Sequence, residues 1–560
     1  MGDVAVVGFA QAPNVRRSEA TTNGVEMLVP IFSQLYADTG LSNREIGFWC
    51  SGSSDYLAGR AFSFISAIDA IGAFPPIAES HVEMDAAWAL YEAWVKIRTG
   101  EVDTALVYGF GKSSAGNLRR TLALQLDPYT VAPLWPDSVG LAGGAARARA
   151  CHQRAAAATE PDLRDGRAGL AMIKQQAAVL GVGQTHHVAK RHDVSMAGMC
   201  REAIDRAMAD AGVGWDEVDA VVVGKAPDLF EGVMMPELYL ADALGASGKP
   251  LIRVHTAGSV GGSTANVAAS LVQAGVHRRV LAVAFEKQSE SNAMWALSIV
   301  TPFSMPVGAG AGGYFAPHVR SYIRRSGAPE YIGAIVAAKD RRNGSTNPYA
   351  HLRQPDITVE SVQASKMLWD PIRYDETCPS SDGACAMILG DETAAAATGK
   401  PVAWIQATVM RTEPTTFAGR DQVNPQAGRD AAAALWKQAG ITDPLKEIDA
   451  AEIYVPFSWF EPMWLENLGF AEEGTGWRLT EAGETAMDGQ LPVNASGGVL
   501  SSNPIGASGM LRFAEAARQV MGTADDHQID GVRTALGHAY GGGSQFYSMW
   551  VVGADKAGLR

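Results

Sequence analysis

Beyond residue 250, five short stretches combine side chains that hold or move protons with glycines that let backbones come close. They are Ala257-Gly258-Ser259-Val260-Gly261-Gly262-Ser263-Thr264-Ala265, Cys378-Pro379-Ser380-Ser381-Asp382-Gly383-Ala384, Glu452-Ile453-Tyr454-Val455-Pro456-Phe457-Ser458, Ser496 to Gly509, and Gly537-His538-Ala539-Tyr540-Gly541-Gly542-Gly543. Ser259 is a hydroxyl at the head of a small-residue run, and it becomes a nucleophile only with a base beside it. Tyr454 ends an apolar run; a phenol ionises near 10 and deprotonates a hydroxyl at neutral pH only if its pKa is lowered. Asn503, next to Pro504, is an amide donor suited to a developing oxyanion. His538 is the imidazole of these stretches and the natural acid or base among them, with Tyr540 a second phenol two residues on. Gly497, Gly498, Gly506 and Gly509 permit close approach of backbone and shape a pocket. Each residue also has a structural alternative: Ser259 starts a helix, Tyr454 and Tyr540 are core rings, Asn503 makes a turn and His538 braces a glycine loop. Asp382 reads as a cap on the turn before the apolar strand Ala384–Leu389.

The elements that position these residues follow from periodicity. Ala177–Val182, Val218–Val223 and Val280–Phe285 are apolar runs of strand length, and Ser195–Ala211 has helical spacing (Met199, Ala203, Ile204, Ala207, Met208) stopped by Gly212. Ser263–Ala274 is a small-residue helix stopped by Gly275, and Asp430–Ala439 is a helix ended by Gly440 and followed by a strand over Ile448–Tyr454. This alternation occurs twice and predicts two stacked α/β halves with sheets dominated by parallel pairs.

An internal repeat sets the domain plan. Val6–Gln11 echoes Val179–Gln184, Gly40-Leu41-Ser42 with Gly52 and Asp55 echoes Gly212-Val213-Gly214 with Gly224 and Asp228, and Gly100 through Lys112 matches Gly275 through Lys287, at offsets of 172–175. The first copy, 1–150, carries only the opening of the unit; 151–171 is an Ala/Arg-rich linker; 172–395 and 396–560 are the two halves of the complete unit. Met84 stands opposite Ser259 at offset 175, so the first copy has no nucleophile in that place and is expected to pair with or pack against the second unit.

Composition narrows the class. The chain has 560 residues, 47% hydrophobic, enough for several buried cores, and a net charge of −14 without a basic stripe, which argues against a nucleic-acid partner. The longest apolar stretches (Val4–Ala10, Ala220–Gly224, Val280–Phe285) fall far short of the roughly 20 residues of a membrane helix. The start MGDVAVVGFAQ has no charged leader or cleavage site, and the 5 cysteines form no CxxC pair, so a cytoplasmic protein with no structural metal and no disulfide framework is expected.

The five stretches, in this order, make residues 172–560 resemble the thiolase superfamily, in its branch of sterol-carrier-protein thiolases and bacterial lipid-transfer thiolase-like proteins. The resemblance implies an α/β thiolase-like fold of two stacked βαβαβ halves in α-β-α-β-α layers, preceded here by a partial copy. It also places Ser259 where the family carries a nucleophilic cysteine at a helix start, Tyr454 in the slot of one catalytic histidine and Asn503 in that of another. His538 matches the C-terminal histidine-bearing glycine loop. The implied substrate is a coenzyme A thioester with a bulky, sterol-like or fatty acyl group, with no bound cofactor beyond that coenzyme A moiety. With the cysteine gone, retro-aldol cleavage of a β-hydroxyacyl-CoA is the expected reaction, Tyr454 or His538 serving as base and Asn503 as oxyanion donor. A β-ketoacyl-CoA thiolase or acetyl-CoA acyltransferase acylated on Ser259, and a non-catalytic lipid or acyl-CoA binding protein, are the alternatives. Relatives of this kind imply a homodimer and a small OB-fold and zinc-ribbon partner.

Overall fold

The computed structural model describes residues 4–15, 24–53, 67–68, 70–83, 86–111, 129, 175–226, 233, 235–290, 310–414 and 419–556. The linker 151–171 and Met84 lie outside the described residues.

The first copy contributes β1 (Phe48–Ser53), β2 (Glu79–Glu83) and β3 (Ala105–Gly109). The complete unit begins with β4 (Ala178–Gln184), β5 (Ala220–Lys225), β6 (Leu251–Val254) and β7 (Arg279–Lys287). A hairpin of β8 (Met367–Trp369) and β9 (Ile372–Arg373) stands apart. Then come β10 (Asp382–Gly390), β11 (Ala403–Thr412), β12 (Ala450–Glu452), β13 (Thr534–Gly541) and β14 (Phe546–Gly553). Hydrogen bonds link all but the hairpin in the order β12-β13-β14-β11-β4-β10-β7-β5-β6-β2-β1-β3. The link is narrow at β11–β4, where two residue pairs join the halves, Ala403↔Val179 and Trp404↔Ala178.

The expected dominance of parallel pairs is corrected: β4, β7, β10, β11, β13 and β14 are joined antiparallel, and the parallel pairs are β1–β2, β1–β3, β5–β6, β5–β7 and β12–β13. Only the short turn 542–545 separates β13 from β14, and a connection that short can join strands only antiparallel. A second correction concerns Val4–Ala10. The segment is extended coil, with Val6, Val7 and Phe9 each 76% exposed. Its counterpart β4 is buried throughout between β10 and β11, and among the described residues the first copy has no equivalent of either neighbour. An apolar run becomes a strand only where another strand accepts its hydrogen bonds.

Two helices form the centre. α1 (Val260–Gln273) and α2 (Ile505–Met521) are buried along their whole lengths, packed on each other and on strands of both halves. Small residues make that possible: a Cβ on Gly261 would strike the Met510 nitrogen, and one on Gly262 would stand 2.8 Å from the Ala539 Cβ. On the far side of the first sheet the amphipathic helix Met196–Ala211 is capped by Ser195, whose hydroxyl accepts from Gly198 N at 3.2 Å, and ends at Gly212 with φ +69°. Among the described residues no helix is long and apolar enough to cross a membrane, and no group of three or more His, Cys, Asp or Glu is placed to hold a metal ion.

Candidate active site

The strand carrying Tyr454 ends earlier than its apolar pattern predicts. Beyond Glu452 side chains replace the ladder: Ile453 N donates to Asn494 Oδ1 at 2.8 Å, and Tyr454 N donates to His538 Nδ1 at 3.3 Å. Trp464 Nε1 holds the Tyr454 carbonyl at 3.0 Å. Below it Glu452, paired with Arg512 of α2, accepts from Ser496 N at 3.0 Å and from its hydroxyl at 2.8 Å, tying strand, loop and helix together. The Tyr454 phenol is thereby placed at the head of α2, beside Ser508.

Asn503 is fixed equally firmly. Its N–H donates to Ser381 Oγ at 3.1 Å, and its carbonyl accepts from Ser381 N at 3.3 Å and from Gln288 Nε2. The side-chain amide then bridges two groups: Oδ1 accepts from Ser508 Oγ at 2.7 Å, and Nδ2 donates to Cys378 Sγ at 3.1 Å. Ser508, Asn503 and Cys378 form one hydrogen-bonded chain, with the Tyr454 phenol beside Ser508. The structure thus brings Tyr454 and Asn503 together, although 49 positions separate them in sequence.

Ser259 sits on the adjoining turn at the start of α1. A Cβ on Gly258 would lie 3.8 Å from the Tyr454 hydroxyl, and one on Gly541 would stand 2.5 Å from the nitrogens of both Gly258 and Ser259. The Ser259 hydroxyl is occupied: it donates to the Thr256 carbonyl at 2.7 Å and lies 2.9 Å from Thr256 Oγ1. Thr256 passes its own proton to Ser263, which meets Ser548 at 2.6 Å. Among the described residues no imidazole or carboxylate takes part in this hydroxyl network.

Tyr540 faces Tyr454 edge to face, ring centroids 5.3 Å apart, and stacks on Phe460 at 5.6 Å. Burial pushes both phenols above their ordinary range, and each phenolate would disfavour the other. His538 stacks on Tyr540, ring centroids 6.4 Å apart, and is buried beside Trp464 and Tyr547. Its Nδ1 accepts from the Tyr454 N–H, and burial lowers its pKa to about 3, so a neutral imidazole braces Tyr454 there.

The four glycines expected to shape the pocket are packed closely on protein. A Cβ on Gly497 would meet Gly344, one on Gly498 would meet Asn494, and one on Gly509 would meet Gly262 and Ala539. A Cβ on Gly506 would strike the Phe285 carbonyl and stand 2.8 Å from Glu286 Oε2. These glycines let protein pack on protein around the site. Gly506→Ala is expected to cost about 1–3 kcal/mol of stability in urea denaturation, as overpacking of rigid backbone does.

Sequence reasoning passed over two residues. Cys378, given no role by the motifs, ends the Ser508–Asn503 chain; burial pushes its thiol up to about 12, so it is a thiol at neutral pH. His351 Nδ1 meets Ser381 Oγ at 2.9 Å, two bonds from Asn503, and no motif flagged it. Asp382 is structural as expected: it accepts from Arg191 N at 2.8 Å and from Ser289 N and Oγ at 2.9 and 2.6 Å.

With this geometry in place, comparison with known proteins identifies the class. Residues 411–554 match the family model described as thiolase C-terminal domain-like. An acetyl-CoA acetyltransferase of Methanothermobacter thermautotrophicus is 32% identical over 372 residues, covering 65% of this chain and 96% of that protein. The chain belongs to the thiolase superfamily. It is also 28% identical over 376 residues to the 17-hydroxy-3-oxo-4-pregnene-20-carboxyl-CoA lyase of Mycobacterium tuberculosis, covering 63% of this chain and 93% of that one. Among solved structures it resembles the Ltp2-ChsH2(DUF35) aldolase, with a TM-score of 0.59 and 26% identity over 68% of this chain and 98% of the other. The superfamily relatives are acyltransferases and lyases.

Proposed function

We propose that this protein is a carbon–carbon lyase that cleaves a bulky β-hydroxyacyl-CoA by a retro-aldol reaction. The observation that carries the reading is the convergence of Tyr454 and Asn503 on Ser508, which donates to Asn503 Oδ1 at 2.7 Å and lies beside the Tyr454 phenol, next to a Ser259 hydroxyl already committed to Thr256. Thiolysis needs an acyl-accepting nucleophile, and a serine whose proton goes to its own loop carbonyl has no base to free it. Retro-aldol cleavage needs none. A base removes the β-hydroxyl proton, the Cα–Cβ bond breaks to give a ketone or aldehyde, and its electron pair passes into the thioester enolate. That oxyanion takes a hydrogen bond from Asn503, and an acid then protonates Cα. Tyr454 and Tyr540 are given the two proton roles: burial holds both phenols above their ordinary range, so only a small phenolate fraction acts as base at neutral pH, and ionisation of one phenol keeps the other protonated.

The rate law follows from burial. With the phenol pKa held above 10, the phenolate fraction grows about tenfold per pH unit below that value. The kcat/KM for cleavage is therefore expected to climb steadily through the neutral and mildly alkaline range. A plateau beginning near pH 6.5 would indicate an imidazole base instead.

The reading against thiolysis is tested by Ser259→Ala, which is expected to retain cleavage activity within about threefold, since the hydroxyl makes only local hydrogen bonds. Loss of a mass-detectable acyl adduct together with loss of turnover in that variant would support the β-ketoacyl-CoA thiolase. The kinship with a lyase named for a steroid-type acyl-CoA supports a sterol-like acyl group, and the likeness to an aldolase of two components, Ltp2 and ChsH2(DUF35), supports a small partner protein as part of the working enzyme.

A further inference from the structure

The strand order β7-β5-β6-β2-β1-β3 is a palindrome in the repeat. β1 corresponds to β5, β2 to β6 and β3 to β7, so the second copy's strands are followed by the first copy's in reverse. The registers agree residue for residue. Trp49↔Glu79 and Gly52↔Val82 become Val221↔Leu251 and Gly224↔Val254 when 172 is added to each number. Phe48↔Ala105 and Gly52↔Gly109 correspond to Ala220↔Val280 and Gly224↔Ala284, within the same offsets of 172 and 175. Every one of these pairs is parallel, and the pair that joins β2 to β6 across the copies, Val82↔Val254, is antiparallel.

Val82 and Val254 are themselves 172 positions apart, so Val82 pairs with its own equivalent. A residue meets its own equivalent only on a two-fold axis, the signature of an isologous interface. Behind the sheet, Lys96 Nζ donates to Ser270 Oγ at 3.2 Å, one residue from its equivalent at offset 175. His255 N donates to the His81 carbonyl at 3.0 Å beside the axis. The seam also reaches the site. Ala257, held at φ +53° two residues before Ser259, packs into the apolar cluster of the first copy with Phe32, Trp49, Ile68 and Tyr108.

We infer that the N-terminal copy stands where a second molecule would stand across a two-fold seam, closing within one chain an interface that two chains would otherwise share. The partner that fits the β6 edge is this chain's own first 111 residues, and that edge is not open to a second copy. This replaces the homodimer expected from the resemblance, as far as the edge is concerned, and it holds whatever reaction the site performs.

The test uses the full chain. Val82 and Val254 form a non-hydrogen-bonded pair, because the neighbouring His81–His255 pair carries the bond; such pairs bring Cα atoms to about 4.5 Å, within disulfide reach. Val82→Cys with Val254→Cys, oxidised over a copper catalyst, is expected to give a crosslink within one chain, running at single-chain mass on a non-reducing gel. A crosslinked species of doubled mass, or two free thiols at those positions, would overturn the inference. Hydrogen exchange on the unaltered protein decides the matter independently should the double variant fail to fold. Amides of residues 251–254 should keep their protection through a hundredfold dilution, and faster exchange on dilution would mean that the edge is covered by a second molecule.

Discussion

Tyr454→Phe is expected to lower the rate of β-hydroxyacyl-CoA cleavage by about 10²–10⁴-fold, the usual worth of one positioned proton-transfer group. The substitution removes a single oxygen. The ring keeps its edge-to-face contact with Tyr540, and the backbone keeps its bonds to His538 and Trp464, so the fold is unaffected. Ser508 loses the phenol but retains Asn503, 2.7 Å away. The loss should therefore fall on kcat with KM nearly unchanged. Release of ketone or aldehyde, followed directly, measures it. A variant with wild-type kcat would remove Tyr454 from the chemistry.

Asn503→Ala is expected to reduce kcat by about 10²–10³-fold, the cost of removing one oxyanion donor. The backbone of Asn503 is held by Ser381 and Gln288, not by its own side chain, so truncation leaves the turn in place. What disappears is the amide joining Ser508 to Cys378 and the N–H that would meet the enolate. Steady-state kinetics with melting curves separates this loss from unfolding. A variant that melts as the parent does and turns over at the parental rate would show that another group stabilises the enolate.

The site was legible where sequence motifs coincide with element ends. Ser259 before α1, Asn503 before α2 and Tyr454 past β12 each sit where a strand or loop gives way to another element, and periodicity marks those junctions. The surroundings of His538 and the glycines were not legible, for a shared reason. Sequence states that an imidazole or a glycine is present, but the direction it faces depends on the sheet's pleat and on what packs behind it. His538 points to Trp464, and Ala539, its neighbour, points to the central helices. Cys378 was invisible as a site residue because its partner, Asn503, lies 125 positions away. The N-terminal run Val4–Ala10 has the composition of β4 without β4's neighbours, and composition alone does not reveal whether neighbours exist.

The central claim is that cleavage proceeds without an acyl-enzyme and without free coenzyme A. Incubation of the purified protein, with its small partner if one is required, with a bulky β-hydroxyacyl-CoA and no added coenzyme A tests it most directly. The account predicts one equivalent of ketone or aldehyde for each equivalent of shortened acyl-CoA formed. Chain shortening that appears only when free coenzyme A is supplied, and only from a β-ketoacyl-CoA, would contradict it.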